Sequence, residues 1–473
     1  MASSPLLLCV LLLYTYCLTI ALGNSEHGFV LVPRSSSASS GLPCSSVSQV
    51  TSDPNRVLSV PLAHRYGACA PSSPSGATDR PPSLAERLRR DRARRSHLIS
   101  KASGRSSISQ SDAGVSIPTS LGAAVDSLEY VVTLGFGTPA VPQTVLIDTG
   151  SDLSWVQCQP CDASACYPQK DPLFDPSASS TYAPVPCDTQ ACRDLAAGSY
   201  NNGCTTNATG ASLCRYGIEY GNFDTTVGLY STETLTLTPA VSITNFSFGC
   251  GLRQRGTFDR FDGLLGLGGA PESLVSQTAE TYGGAFSYCL PPGNSSTGFL
   301  ALGTPSNNTP GSFQFTPLHG VPGQATFYLV TLAGISVGGK QLDIPPAVFS
   351  KGMIIDSGTV VTGLPGTAYS ALRTAFRSAM SAYPLLPPNE ELDTCYNFTG
   401  FSNVTVPTVS LTFDGGATID LDVPSGILLE DCLAFVGGSS DREVGIIGNV
   451  NQRTFEVLYD SGRGHVGFRP GAC

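Results

Sequence analysis

Charge is the first thing this chain is short of. Asp, Glu, Lys and Arg make up only 13% of its 473 residues, about half the usual share of roughly 25% in soluble domains. Combined with 51 Gly, 35 Pro and 41% hydrophobic residues, that shortage favours many short strands joined by turns over long helices. Histidine is scarce as well. Beyond residue 120 only His319 and His465 occur, neither in metal-ligand spacing nor beside a nucleophile motif. A metal-dependent hydrolase or a Ser/His/Asp hydrolase therefore has little support, and neither metal nor cofactor is expected.

The first 23 residues contain no Asp, Glu, Lys or Arg, and Leu6 to Leu22 is apolar and followed by Gly23. This reads as a secretory signal peptide over residues 1–23. A retained membrane anchor is the competing reading, because the run approaches spanning length. No second long apolar run follows, and the chain ends Gly471-Ala-Cys473 without a hydrophobic tail, so neither a GPI anchor nor another stable membrane anchor is expected.

Cysteine, by contrast, is plentiful. Twelve of the 16 lie between Cys158 and Cys473, an even number that in a secreted chain reads as six disulfides. Six glycosylation sequons, at Asn207, Asn245, Asn294, Asn307, Asn397 and Asn403, agree with passage through the endoplasmic reticulum and place those segments at the surface. The expected destination is extracellular or cell wall, with the vacuole as the other candidate.

The few charges are unevenly spread. Residues 24–120 carry twelve Lys or Arg against six Asp or Glu, a net +6, which leaves −16 for residues 121–473. This leader is rich in Ser, Pro and Gly, and its one ordered-looking piece, Ser83 to Arg95, has the pattern of a basic helix after Pro82. A basic leader before an acidic body is expected to be a propeptide that covers an acidic cleft by charge complementarity. A disordered linker and a nucleic-acid-binding segment are the alternatives.

From Leu128 the texture becomes one of short β-branched or alternating runs, such as Glu129–Leu134, Thr144–Ile147, Thr234–Thr238 and Phe327–Leu332. Amphipathic helices are expected only at 271–282 and 367–382. An internal repeat carries more weight than any single element. Val145-Leu-Ile-Asp-Thr-Gly-Ser151 is followed by Gly263-Leu-Leu-Gly-Leu-Gly268, and Met353-Ile-Ile-Asp-Ser-Gly-Thr359 by Gly445-Ile-Ile-Gly-Asn-Val450. Each half thus delivers an Asp from an apolar strand into a Gly-containing turn, then adds a second buried strand. Two similar halves facing each other are implied.

The chemistry follows from that pairing. In each turn a hydroxyl residue can bond the carboxylate, and Gly lets backbone N–H groups approach it. Two carboxylates brought together cannot both ionise, so they share a proton and offer an acid and a base at once. The aspartic protease dyad is the established example.

Asp148-Thr-Gly-Ser-Asp-Leu-Ser-Trp155, Tyr220-Gly221, Phe261-Asp-Gly-Leu-Leu-Gly-Leu267, Asp356-Ser-Gly-Thr-Val-Val-Thr362 and Gly445-Ile-Ile-Gly-Asn-Val450 resemble the pepsin-like aspartic proteases. The twelve-cysteine body and the ending Val466 to Cys473 resemble the plant nepenthesin-like subgroup, over about residues 125–473. The resemblance implies a mainly β, two-lobed fold with pseudo-twofold symmetry and a central cleft. Its lobes would be residues 121–310 and 311–473, in a monomer acting on protein or peptide substrates at acidic pH. It makes Asp148 and Asp356 the catalytic pair, supported by Thr149, Gly150, Ser151, Ser357, Gly358 and Thr359. Tyr220 and Gly221 would lie on a flap over substrate, backed by Trp155, the only tryptophan. It also implies the disulfides Cys158–Cys161, Cys166–Cys250, Cys187–Cys214, Cys192–Cys204, Cys289–Cys473 and Cys395–Cys432.

Two positions depart from the family pattern. Asn222-Phe223-Asp224 follows Tyr220-Gly221 where flaps usually carry an acidic residue, Gly and Ser, and Gly363 follows Thr362 where many relatives have Arg. Some plant relatives of this fold inhibit cell-wall-degrading enzymes and have lost catalysis. An inhibitor is therefore the alternative function, against which both Asp turns are intact.

Overall fold

In this computed structural model the described residues are 28–34, 58–67, 69–70, 82–104, 121–122 and 129–473, less 162–163, 199, 221–223, 257, 259–260, 294–295, 306–311 and 322–323. The expected signal peptide lies outside them. The chain is mainly β, built on a 16-stranded sheet with smaller sheets of six, four, four and two strands.

The apolar runs before the two aspartates became strands covered on both faces, which is why they read as continuous rather than alternating. Val141–Asp148 runs parallel to Gly263–Gly266, with Val145 opposite Gly263 and Asp148 opposite Gly266. The second half repeats this: Met353–Ile355 runs parallel to Gly445–Ile447 in the six-stranded sheet. The glycines are required by close approach. A Cβ on Gly263 would lie 1.9 Å from the Trp155 carbonyl oxygen, and one on Gly445 would lie 2.2 Å from Met353 Sδ.

The C-terminal strands join the central sheet. Glu456–Asp460 pairs with Ala285–Cys289 and His465–Arg469 extends the sheet outward. The leader, whose sequence showed no sustained strand pattern, supplies two strands. Leu58–His64 lies between Thr297–Leu302 and Tyr130–Phe136, burying Val60, Leu62 and Ala63. Phe29–Pro33 pairs antiparallel with Asn403–Pro407 in a separate two-stranded sheet. Neither segment has enough apolar periodicity to stand alone; each is extended because a neighbour offers unpaired backbone groups.

The basic helix is longer than its sequence pattern, running Leu84–Ala102 with Ser83 Oγ accepting from the Glu86 amide at 3.3 Å. The helix expected at 271–282 is two short turns, Leu274–Gln277 and Ala279–Tyr282, broken at Thr278. The Thr278 hydroxyl donates to the Leu274 carbonyl at 2.8 Å, a local bond that competes with helix propagation. The helix expected at 367–382 forms as Gly366–Ala379 and buries Leu372 and Phe376. Among the described residues no helix is long and apolar enough to cross a membrane.

The disulfide pattern corrects the expectation at four bonds. The structure pairs Cys158–Cys250, Cys161–Cys166, Cys187–Cys204 and Cys192–Cys214, while Cys289–Cys473 and Cys395–Cys432 stand. The strands Trp155–Gln157 and Val241–Arg255 run parallel, with Cys250 opposite Val156. This register puts Cys158 5.4 Å, Cα to Cα, from Cys250 and leaves Cys161 to close a short loop with Cys166. In the second cluster Cys204 and Cys214 face each other across a strand pair, and Cys187 and Cys192 approach within 4.0 Å at sulfur. Four thiols converge there, and ångström-scale placement decides the partners. Of the sequons, Asn207, Asn245, Asn397 and Asn403 are exposed; Asn294 and Asn307 lie outside the described residues.

Candidate active site

The two Asp turns meet. Thr149 and Ser357 bond across the junction: the Ser357 amide donates to Thr149 Oγ1 at 2.9 Å and the Thr149 amide donates to Ser357 Oγ at 3.2 Å. Thr149 Oγ1 in turn donates to the Ile355 carbonyl at 3.4 Å. These exchanges hold two sequence-distant turns against each other.

Each carboxylate is gripped by its own turn. Asp148 accepts from the Gly150 amide at 2.9 Å and from Ser151 Oγ at 2.6 Å. Asp356 accepts from the Gly358 amide at 3.2 Å and from the Thr359 hydroxyl. Both aspartates are fully buried. A methyl group on Gly150 would sit 2.9 Å from Asp356 Oδ1 and 3.3 Å from Asp148 Oδ1, so a side chain there would collide with both carboxylates. Asn449 and Gln452, just past the Gly445–Ile447 strand, tie down the second turn by donating to the Ser357 and Asp356 carbonyls at 3.2 Å each.

Sequence reasoning did not single out the residue that fills the site. Arg94, on the buried face of the basic helix, donates through Nη2 to Asp148 Oδ1 at 2.5 Å and to Asp356 Oδ1 at 2.8 Å, and through Nε to Asp356 Oδ2 at 2.8 Å. One guanidinium nitrogen therefore touches both carboxylates. All three side chains are sealed from solvent. Burial pushes the Asp356 carboxyl upward, but the Arg94 charge, with the Thr359 hydroxyl and Gly358 amide, outweighs it and holds the group below the ordinary range. Burial would weaken the Arg94 cation, yet the two carboxylates raise its proton affinity further.

The rest of the helix is bound in kind. Asp91 accepts from the Val360 and Val361 amides at 2.6 and 3.3 Å, beside the Asp356 turn. Arg87 pairs with buried Glu129, whose carboxyl burial raises but Arg87, His64 and Arg453 hold well below the usual range. Arg92 and Arg95 reach Glu391. The run of arginines announced charge complementarity; which arginine meets which carboxylate is set by the register of the docked helix.

The expected flap is a hairpin of Ser212–Tyr220 with Thr225–Thr238, with Glu219 opposite Thr225. Trp155 Nε1 donates to the Tyr220 hydroxyl at 2.6 Å and both rings are buried. Gly221 and Phe223 lie outside the described residues.

A buried aspartate pair, each member in an Asp-Thr/Ser-Gly turn at the end of an apolar strand, on a mainly β frame, defines an aspartic endopeptidase of the pepsin-like class. Comparison with known proteins agrees. Family models described as xylanase inhibitor N-terminal and C-terminal match residues 130–304 and 327–470. An aspartyl protease family protein of Arabidopsis thaliana is 40% identical, over 99% of this chain and 98% of its own. Aspartic proteinase nepenthesin-2 of Nepenthes gracilis is 37% identical over 77% and 81%. Among solved structures, the soybean basic 7S globulin shares the fold at a TM-score of 0.57 and 22% identity, covering 72% of this chain and 91% of its own. The chain belongs to the plant pepsin-like aspartic protease family, in its nepenthesin-like branch.

Proposed function

We propose that the protein is a secreted, glycosylated zymogen whose mature form hydrolyses internal peptide bonds of protein substrates at acidic pH, with Asp148 and Asp356 as the catalytic pair. Residues 24–120 would be the propeptide, and 121–310 and 311–473 two lobes related by a pseudo-twofold axis across a central cleft. The observation that carries this reading is the single Arg94 nitrogen bonded to both carboxylates. A point that binds one cation between two carboxylates can, once vacated, hold one proton and one water.

The chemistry is then general acid–base catalysis. The ionised carboxylate takes a proton from the water, the resulting hydroxide attacks the peptide carbonyl, and the protonated carboxyl donates to the carbonyl oxygen. Ser151 and Thr359 restrain the carboxylates, so little reorganisation accompanies proton transfer. No covalent enzyme intermediate forms. Tyr220, held by Trp155, would close over the substrate from the hairpin.

Purified precursor, incubated in acid, should cleave a denatured protein below about pH 5 and be blocked by a statine-type transition-state analogue. Asp148→Asn or Asp356→Asn should lower kcat by at least about a thousandfold. Full activity in either variant removes the assignment. The alternative, a glycosidase inhibitor, draws on the description of the matching family models. It requires stoichiometric loss of xylanase or glucanase activity on mixing, with no cleavage of denatured protein.

A further inference from the structure

We propose that Glu391 and Gly363 form a substrate subsite for a cationic side chain, arginine above all, flanking the scissile bond. The inference rests on the proteolytic reading above and names a preference within it. A tethered ligand already occupies the place. Arg95, the neighbour of Arg94, extends toward Glu391, and its Nη2 pairs with Glu391 Oε1. Arg92 Nε reaches the other carboxylate oxygen at 3.1 Å. Both arginines belong to the basic helix and leave with it, as does Asp91, the other partner of Arg95. The Glu391 side chain is only 14% exposed while the helix is docked.

Gly363 gives the cation its path. Arg95 Cδ lies 3.4 Å and Nε 3.7 Å from where a Gly363 Cβ would be, so the aliphatic stem crosses the glycine face on its way to the carboxylate. Gly363 belongs to the strand Thr362–Leu364, which continues from the Asp356 turn, and the Val360 and Val361 amides just before it bind Asp91. The subsite therefore adjoins the dyad. Beside Arg95, a groove of about 590 Å³ runs between the basic helix, which contributes Arg92, Arg95 and Ile99 to one wall, and the body, which contributes Gly363, Leu364 and Glu391 to the other; with the helix gone, that body wall is open to a side chain with a long stem. A substrate laid in this groove covers Glu391 again. An arginine there restores a charge-assisted pair, whereas a neutral residue leaves a partly buried carboxylate without one.

The test uses the processed enzyme and paired peptides that differ only by arginine or citrulline, its neutral near-isostere, at each position flanking the cleaved bond, all at one pH of about 5. The expected result is a kcat/KM about tenfold higher for arginine at one position. Glu391→Gln should reduce that ratio to within about twofold. Gly363→Arg, which fills the path with a resident cation, should do the same. Equal cleavage of both peptides at every position by the wild-type enzyme overturns the proposal, as does a preference that survives both substitutions. Cleavage of citrulline peptides without an arginine preference sinks this subsite alone. Failure to cleave any peptide sinks the proteolytic reading, and the subsite with it.

Discussion

At the scale of single residues, the site depends on groups that cannot be removed one at a time. Ser357 both accepts from the Thr149 amide and donates its own amide to Thr149 Oγ1. Ser357→Ala should cost about 1–3 kcal/mol of stability through the orphaned Thr149 amide, measured by denaturant unfolding, and should lower kcat more than it raises KM. Arg94 is the more consequential position. Replacing it with the uncharged Met leaves two buried carboxylates without a counter-charge, a change worth about 3–5 kcal/mol when one partner of a buried pair is lost. The unprocessed Arg94→Met precursor should bind a statine-type inhibitor at neutral pH, where the wild-type precursor should not; equal binding by both would show that Arg94 does not guard the dyad. Both aspartates and their hydroxyl partners were legible in the sequence, because strand–Asp–Gly turns are local signals. Arg94 was not, since six arginines in one short run look alike until the helix is docked.

Among the elements, the basic helix is held by buried carboxyls whose titration should make its docking depend on pH. Asp356 is held below its ordinary value of 3.8 and Glu129 below its ordinary 4.5. A carboxyl depressed in the folded state contributes stability above its unfolded value and loses it as pH falls through the folded one. Asp91 acts the other way: burial pushes it up to about 6, so its contribution is present below 3.8 and lost as pH rises through about 6. The Arg94 and Arg87 pairs outnumber it at the dyad and at Glu129. The precursor's melting temperature should therefore fall, and the segment 83–104 become cleavable, as pH drops below about 4, followed by calorimetry and N-terminal sequencing. Sequence periodicity found the Leu372–Phe376 face of the helix Gly366–Ala379 because a helix buries every third or fourth residue whatever it packs on. It did not find the leader strand Leu58–His64, since what makes that segment extended is the gap between two strands of the body.

Across the whole molecule, a second buried carboxyl, away from the two active-site aspartates, ties stability to pH. Asp262, in the Phe261-Asp-Gly segment, accepts from the Lys170 and Asp171 amides at 3.1 and 3.0 Å. Burial, then a hydrogen bond with Asp171, pushes it up to about 8. Its protonated form is the native one, so this contribution is complete below 3.8 and drains as pH rises through about 8. The melting temperature of the body should decline between about pH 5 and 8, by up to about 1.4 kcal/mol of stability per pH unit for one proton. Asp171→Asn, which removes the second carboxylate, should flatten that decline; an unchanged slope would assign it elsewhere. The sequence by itself determined the mainly β composition, the repeated Asp turns and the family, since all three are written in local patterns and ordered motifs. Tertiary structure alone decided four of the disulfide partners, the two leader strands, the approach of Asp171 to Asp262, and the arginine that sits between the aspartates. Apart from the short Cys161–Cys166 loop, these are meetings of groups well separated in the chain, and only the packed backbone sets the distances between them.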